Sequence, residues 1–180
     1  MLGQDKGRLR LFRNSGELES QGFATGTISL GELEVAIVKD FEFISSYTPK
    51  TSKTSGVTFY KPVSILDGFF TFGHYCQPTD KQLRGYVIVA RDTQNTDAQP
   101  PPLKSPLGYD LIWSSNSVYV WKPISANGYR ALGFVVTIDA DEPDLEEVRC
   151  VRDDLTENCL IDDDILNTSS NLQVWNTKTI

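Results

Sequence analysis

The chain has very little histidine and cysteine, two residue types that are common in catalytic and metal sites. Its 180 residues include one histidine, His74, and three cysteines, Cys76, Cys150 and Cys159. The cysteines show no metal-ligand spacing, so no metal site is expected. Their odd number favours buried thiols in a reducing compartment. A Cys150–Cys159 disulfide stays open as an alternative for a secreted protein.

The motifs of common enzyme classes are also missing. The sequence contains no GxSxG, no P-loop and no GxGxxG. His74 and Cys76 are two residues apart on a predicted strand, so their side chains would share a face, and a Cys–His nucleophile pair is one interpretation. The residue that matches His74 in an internal repeat is Phe134, which favours a packed imidazole instead. We predict a protein that is not an enzyme, with no catalytic residue and no cofactor.

Long apolar stretches and excess positive charge are absent as well. No run approaches the roughly 20 apolar residues of a membrane helix, and the polar segment Met1–Arg10 lacks the apolar core of a signal peptide. The net charge of −7 argues against a nucleic-acid partner. The acidic clusters at 139–147 and 162–164 lack calcium-loop spacing, so we interpret them as solvated loops. A cytoplasmic location is predicted, with peripheral membrane association left open.

One phrase occurs twice, and its spacing predicts the architecture. A Lys-Pro-x-Ser string precedes an Asx-Gly-aromatic string and then a second glycine. Gly68 and Gly128 are 60 residues apart, and so are Gly73 and Gly133. Internal repetition of this period is typical of folds built from equivalent units. The two copies are Lys61-Pro62-Val63-Ser64 with Asp67-Gly68-Phe69, and Lys122-Pro123-Ile124-Ser125 with Asn127-Gly128-Tyr129.

Each unit contains four short runs of alternating or β-branched residues separated by turn residues, which indicates four strands. A third unit is divided between the two termini. We therefore predict a single all-β domain over residues 1–180, a pseudo-threefold β-prism of three four-stranded units closed by the N- and C-terminal strands, with a β-trefoil as the alternative. The units are predicted at 9–40 plus 165–177, at 41–92 and at 109–153.

The repeats also predict individual roles. The glycine of each Gly-aromatic pair is expected either to adopt a positive φ or to let two backbones approach closely. Aromatic residues at positions 59, 69, 121 and 129 are expected to pack inward. The basic residues at strand ends are expected to pair with nearby acids in Lys39-Asp40, Arg91-Asp92 and Arg152-Asp153.

Two unusual strings carry a family resemblance. They are GHYCQP at 73–78 and EVRCVRDDLT at 147–156. With the glycine-rich blocks around them, they resemble the N-terminal region of the plant and fungal vacuolar protein sorting-associated protein 62 family, a domain of unknown function, over roughly residues 20–177. Members of that family usually continue into a further C-terminal region. The repeated phrase is also similar to the β-rich repeats that bind short peptides in vacuolar protein sorting 13 proteins. The resemblance implies recognition and supplies no established catalytic residue.

The predicted function is a non-enzymatic recognition module that binds a glycan, a lipid headgroup or a peptide. The alternative is a membrane-active defence or toxin-like protein with a β-prism targeting domain. Function is expected where the repeats differ, in the segments 47–56, 93–108 and 139–147. Exposed aromatics and acids in or near these segments are the candidate binding residues: Tyr47, Trp113, Tyr119, Asp139 and Asp141.

Overall fold

The computed structural model describes residues 7–9, 26–49, 56–93, 100–167 and 172–179. This part of the chain is all-β, apart from a short 3-10 helix at Asp153–Leu155. The predicted all-β class is confirmed. The strands are β1 Gly7–Leu9, β2 Thr27–Leu30, β3 Leu33–Val38, β4 Phe41–Tyr47, β5 Val57–Pro62, β6 Phe70–Thr71, β7 Tyr75–Pro78, β8 Val87–Asp92, β9 Leu103–Lys104, β10 Tyr109–Ser115, β11 Val118–Pro123, β12 Tyr129–Arg130, β13 Val135–Thr137, β14 Cys150–Arg152, β15 Thr156–Asn167 and β16 Gln173–Thr179.

The strands form small antiparallel sheets. Their orders are β4-β5-β7, β10-β11-β13, β1-β15-β16, β2-β3-β8-β6 and β12-β14-β9. We call the sheet β4-β5-β7 the second sheet and the sheet β10-β11-β13 the third sheet, after the predicted units that contain them. Among the described residues both sheets are three-stranded, which makes β4 and β10 edge strands of this part of the fold.

The second and third sheets have the same register. Phe41 pairs with Pro62 at the start of β4, and Tyr109 pairs with Pro123 at the start of β10. A bulge interrupts each pairing two residues later, between Phe43 and Ser45 and between Leu111 and Trp113. Residue-by-residue equivalence between the two sheets can therefore be read directly from the pairing.

Three sheets contribute to one central core. Val57 on β5, Val118 on β11 and Leu172 just before β16 are each at most 1% exposed and belong to the same packed cluster. Phe59, Val120 and Val174 extend it. The C-terminal strand thus shares its core with both central sheets, although about 50 to 115 residues separate these segments in sequence.

The turns follow the glycine pattern. Gly68 has φ +78° and Gly128 has φ +79°. The amide of the residue after each glycine donates to a carbonyl oxygen three residues earlier, from Phe69 to Leu66 and from Tyr129 to Ala126. This is the pattern of a type II turn with glycine at its third position. The predicted positive φ at both glycines is confirmed.

A second pair of glycines brings two backbones together. A Cβ on Gly73 would lie 2.9 Å from the Phe134 nitrogen, and a Cβ on Gly133 would lie 2.8 Å from the Phe72 carbonyl oxygen. Side chains are excluded at both positions because each would meet main-chain atoms. Gly31, by contrast, lies in a two-residue turn between β2 and β3 with open space around it.

The N- and C-terminal parts differ from the predicted unit boundaries. β15 begins at Thr156, before the predicted boundary at 165, and residues 162–164 form strand instead of the predicted loop. β1 pairs with β15, whereas β3 pairs with β8 of the second unit. Residues 10–25 of the predicted first unit, and parts of the segments 47–56 and 93–108, lie outside the described residues.

The central core predicts a large stability loss when Leu172 is shortened. Leu172 is 0% exposed, so Leu172→Ala is expected to lower the free energy of unfolding by about 2–4 kcal/mol. Leu160→Ala is the matched control because Leu160 on β15 is 46% exposed, and it should cost less than about 1 kcal/mol. Urea unfolding followed by circular dichroism measures both. Equal losses in the two variants would contradict the shared core.

Candidate functional site

Four aromatic rings form a contiguous surface on the outer side of the second sheet. We call Phe41, Phe43, Tyr60 and Tyr75 the aromatic face. Ring centroids lie 5.1 Å apart for Phe41 and Tyr75, 6.2 Å for Phe43 and Tyr60, and 6.3 Å for Tyr60 and Tyr75. Phe43 is 60% exposed, and the other three rings are partly exposed. Edge-to-face and tilted pairs at these distances attract each other, so the rings hold one another in place.

The segment 79–86, between β7 and β8, lies at one side of this face. Its residue Gly85 leaves no room for a side chain, because the Tyr75 ring lies against it. Gln77 donates its side-chain amide to the Lys81 carbonyl oxygen at 2.8 Å and accepts from the Tyr75 hydroxyl at 3.3 Å. Lys81 and Arg84 are exposed on the same segment. The aromatic face therefore has positively charged side chains in the segment beside it.

The equivalent face of the third sheet is buried. Register places Tyr109 at the position of Phe41, Trp121 at that of Tyr60 and Val135 at that of Tyr75. These three residues pack with Val148 and are at most 7% exposed. The covering chain is the segment 138–149 between β13 and β14. The Tyr109 amide donates to the Glu142 carboxylate at 2.8 Å, and the Tyr109 hydroxyl donates to the Asp144 carbonyl at 2.9 Å.

Segment length accounts for the difference between the two faces. Residues 138–149 supply 12 residues between strands, whereas residues 79–86 supply eight. The shorter segment contacts Tyr75 through Gly85 and leaves Phe41, Tyr60 and Tyr75 partly exposed. A cluster of contacting rings on a surface is unusual, whereas single exposed apolar residues are common. The aromatic face is the strongest candidate binding surface in the described part of the chain.

The aromatic candidates taken from the sequence occupy different positions. Tyr47 is 7% exposed and packs edge-to-face on Trp113 with ring centroids 4.9 Å apart, and Trp113 is half-buried against the central core. The expectation that Tyr47 is exposed is wrong, because its ring packs on Trp113 and belongs to the central core. Tyr119 is half-buried beside the Tyr109 cluster. Asp139 and Asp141 are exposed on the covering segment, and their role in binding stays a prediction.

Sequence reasoning missed the aromatic face. It assigned the aromatics repeated at 59, 69, 121 and 129 to the interior, and Phe59, Phe69 and Trp121 are indeed buried. Tyr129 is only partly buried. The prediction treated Phe59 and Trp121 as equivalent positions, whereas the strand pairing makes Trp121 the equivalent of Tyr60. A useful signal was present in the two segments after β7 and β13, which differ in length and in charge.

A buried polar cluster joins the second and third units. His74 has a side chain only 4% exposed, and its Nδ1 accepts the Val136 amide proton at 3.0 Å. Nε2 must then carry the ring proton, which it donates to Glu147 Oε1 at 3.0 Å. Lys61 Nζ lies 2.7 Å from the same oxygen. The hydrogen bond from His74, and the charge and hydrogen bond of Lys61, hold the pKa of Glu147 at about 2 despite burial.

This cluster leaves His74 without a free ring nitrogen for proton transfer. Burial also raises the pKa of the Cys76 thiol to about 11, so a reactive thiolate is disfavoured at neutral pH. The geometry supports the prediction that His74 is a packed imidazole. No group of three or more potential metal ligands occurs within the described ranges.

The cysteines form no disulfide, and the strand-end arginines pair with acids. Cys76, Cys150 and Cys159 are not disulfide-bonded, so the alternative Cys150–Cys159 disulfide is absent. Arg91 pairs with Glu34 at 2.6 Å, and Arg152 pairs with Glu32 and Asp154. The predicted pairing of strand-end arginines with acids is confirmed. None of the helices in the described segments is long and apolar enough to cross a membrane.

The fold and the aromatic surface together define an all-β domain with a candidate recognition face. A family model described as vacuolar protein sorting-associated protein 62 matches residues 15–180. The chain belongs to this family, as its sequence strings indicated.

A similar fold occurs in the crystal structure of GNIP1Aa from Chromobacterium piscinae, with a TM-score of 0.60 at 17% sequence identity. The similarity covers 81% of this chain and 30% of that chain, so the present chain spans less than a third of GNIP1Aa. A search of curated proteins found no match.

The depressed pKa of Glu147 predicts a measurable pH dependence of stability. The pKa falls from an ordinary 4.5 to about 2, so the carboxylate stabilises the fold above pH 4.5, and this contribution is lost as the pH falls towards 2. Glu147→Gln should lower the free energy of unfolding at pH 7 by about 1–3 kcal/mol. Urea unfolding from pH 7 to pH 2 should show the two proteins converging at the acidic end.

Asp141→Asn is the control for this test, because Asp141 is an exposed acid on the same segment. It should leave the stability unchanged within about 0.5 kcal/mol at every pH. A constant difference between wild type and Glu147→Gln across the whole pH range would contradict the assigned role of the carboxylate.

Proposed function

We propose that this chain is a non-enzymatic recognition module that binds its ligand on the aromatic face. The observation that carries the proposal is the contrast between two equivalent faces. Tyr109, Trp121 and Val135 are buried under the segment 138–149, whereas their equivalents Phe41, Tyr60 and Tyr75 stay partly exposed. Flat aromatic rings bind sugar rings, apolar peptide side chains and the interfacial region of membranes through their apolar surfaces. The ligand classes are therefore a glycan, a peptide or a lipid headgroup region.

Absence of catalysis is part of this proposal. Both ring nitrogens of His74 already have partners in Val136 and Glu147, and the Cys76 thiol has a raised pKa. An activated Cys–His pair needs a thiolate and an imidazole in hydrogen-bond contact. These observations support a binding role over a hydrolytic one.

The pseudo-threefold β-prism is the architecture that we propose for the module. Its support is the common core to which the second sheet, the third sheet and the chain before β16 each contribute, together with the shared register of the second and third sheets. In a prism of this kind the inner faces form the core and the outer faces need separate covers. A cytoplasmic location fits the three free cysteines.

Membrane targeting is a second candidate function. Three tyrosines lie on or beside the face, and one of them, Tyr86, is 59% exposed next to Gly85. Tyrosine side chains favour the membrane–water interface because they combine an apolar ring with a polar hydroxyl. A targeting domain would bind vesicles, and a membrane-active protein would in addition release a trapped dye.

A single variant tests the proposed binding face. Phe43→Ala is expected to weaken binding to the cognate ligand by at least about tenfold, because hot-spot aromatics in an interface contribute about 1–2 kcal/mol or more. A glycan array, vesicles containing acidic phospholipids and a peptide library supply the three ligand classes. Circular dichroism checks that the variant is folded.

Leu111→Ala is the matched control for Phe43→Ala. Leu111 pairs with Trp121 as Phe43 pairs with Tyr60, and it is 48% exposed on the third sheet. Removing the Leu111 side chain should change ligand binding by less than about twofold. Equal effects of the two substitutions, or binding that is unaffected by either, would contradict the aromatic face as the ligand site.

A further inference from the structure

The segments that follow β7 and β13 differ in charge as well as in length. Residues 138–149 carry six acids and one arginine, a net charge of −5. Residues 79–86 carry Asp80, Lys81 and Arg84, a net charge of +1. The covered face thus has an acidic cover, and the open face lies beside a segment with two cations.

The covered face shows how an acidic segment binds this type of surface. Glu142 accepts the main-chain amide of Tyr109, at the start of edge strand β10, at 2.8 Å. The main chain of the segment continues past the ring, where the Asp144 carbonyl accepts the Tyr109 hydroxyl at 2.9 Å. One carboxylate therefore binds the strand edge while the peptide backbone lies along the aromatic side chain.

The open face presents matching positions. Phe41 starts edge strand β4, as Tyr109 starts β10, and Tyr60 and Tyr75 bring two phenol side chains to the face. Arg84 donates to the neutral side-chain amide of Gln82 at 3.2 Å, and Lys81 lies 3.9 Å from Asp80. Both cations are exposed on the segment that contacts Tyr75 through Gly85, so they are available for charge pairs with an acidic ligand on this face.

We propose that the aromatic face binds an extended acidic peptide segment of a partner protein, in the position that residues 138–147 take on the third sheet. This inference rests on the proposed function, because it names the ligand of the same face. The peptide backbone lies along Phe41 and Tyr60, and its carboxylates lie towards Lys81 and Arg84. Apolar contact with Phe43 and charge pairing with Arg84 act together.

The chain itself supplies the test probe. A fluorescently labelled synthetic peptide with the sequence of residues 138–147, IDADEPDLEE, is titrated with the full chain, and binding is followed by fluorescence polarisation. A second peptide carries Asn and Gln in place of the six acids. We expect the acidic peptide to bind, the amide version to bind at least about tenfold more weakly, and added salt to weaken the acidic peptide selectively.

Variants of the protein locate the peptide on the surface. Phe43→Ala should weaken peptide binding by about tenfold or more, and Arg84→Gln by about threefold or more. Leu111→Ala and Arg130→Gln should each stay within about twofold of the wild type. Arg130→Gln is a suitable control because the substitution removes the same charge from a partly exposed side chain on β12. Arg130 pairs there with Asp153.

The outcomes separate this inference from the proposed function. If the acidic peptide fails to bind at millimolar concentration while another ligand class still depends on Phe43, the acidic-peptide assignment is overturned and the recognition face stands. Equal peptide binding by wild type and Phe43→Ala overturns the assignment too. If no ligand class depends on Phe43, both the assignment and the proposed function are overturned.

Discussion

The contact between Gly73 and Gly133 fixes how the second and third units meet. Each glycine lies so close to the main chain of the other unit that a Cβ would collide with backbone atoms. The approach allows the His74 amide to donate to the Phe134 carbonyl at 2.8 Å, and it places the His74 ring where the Val136 amide can reach it. A side chain at either glycine would separate these groups, and the buried cluster around His74 would lose its partners.

The same junction anchors the segment that covers the third sheet. Glu147 binds His74 and Lys61 of the second unit. Arg149 donates its amide to the Thr71 carbonyl at 3.0 Å, and its guanidinium lies 3.7 Å from the centre of the Phe70 ring. One end of the cover is therefore held by the neighbouring unit, and the other end is held by Tyr109. The burial of Trp121 depends on contacts that cross between units, so it is a property of the assembled domain.

This dependence explains what sequence reasoning could and could not predict. The positive φ of Gly68 and Gly128 is set by a four-residue turn, so a local pattern is sufficient to predict it. The burial of Phe59 follows from its position on a strand face that the second and third sheets share. Tyr60 and Trp121 occupy equivalent strand positions, yet only Trp121 is buried. Their difference comes from segments outside the strands, which strand periodicity does not report.

Tyr47 is a second residue whose burial could not be predicted from local sequence. It precedes a polar segment, and proximity in sequence to polar residues suggested exposure. Its ring instead packs on Trp113 of the third sheet, so its burial is decided by a residue 66 positions away. Predicting a contact between residues so far apart in sequence requires the relative position of two sheets. The sequence repeat gives that position only approximately.

A chain built from equivalent sheets must cover each outer face or leave it for another molecule. Burying apolar surface stabilises a fold by about 25 cal/mol for each Å², so the ring surface that stays in water forgoes this stabilisation. The third sheet shows that a 12-residue connection can cover such a face within this same fold. The second sheet has a connection of eight residues with two cations. The open face is therefore a consequence of one short connection, and its apolar rings and nearby charges together determine which ligand can replace the missing cover.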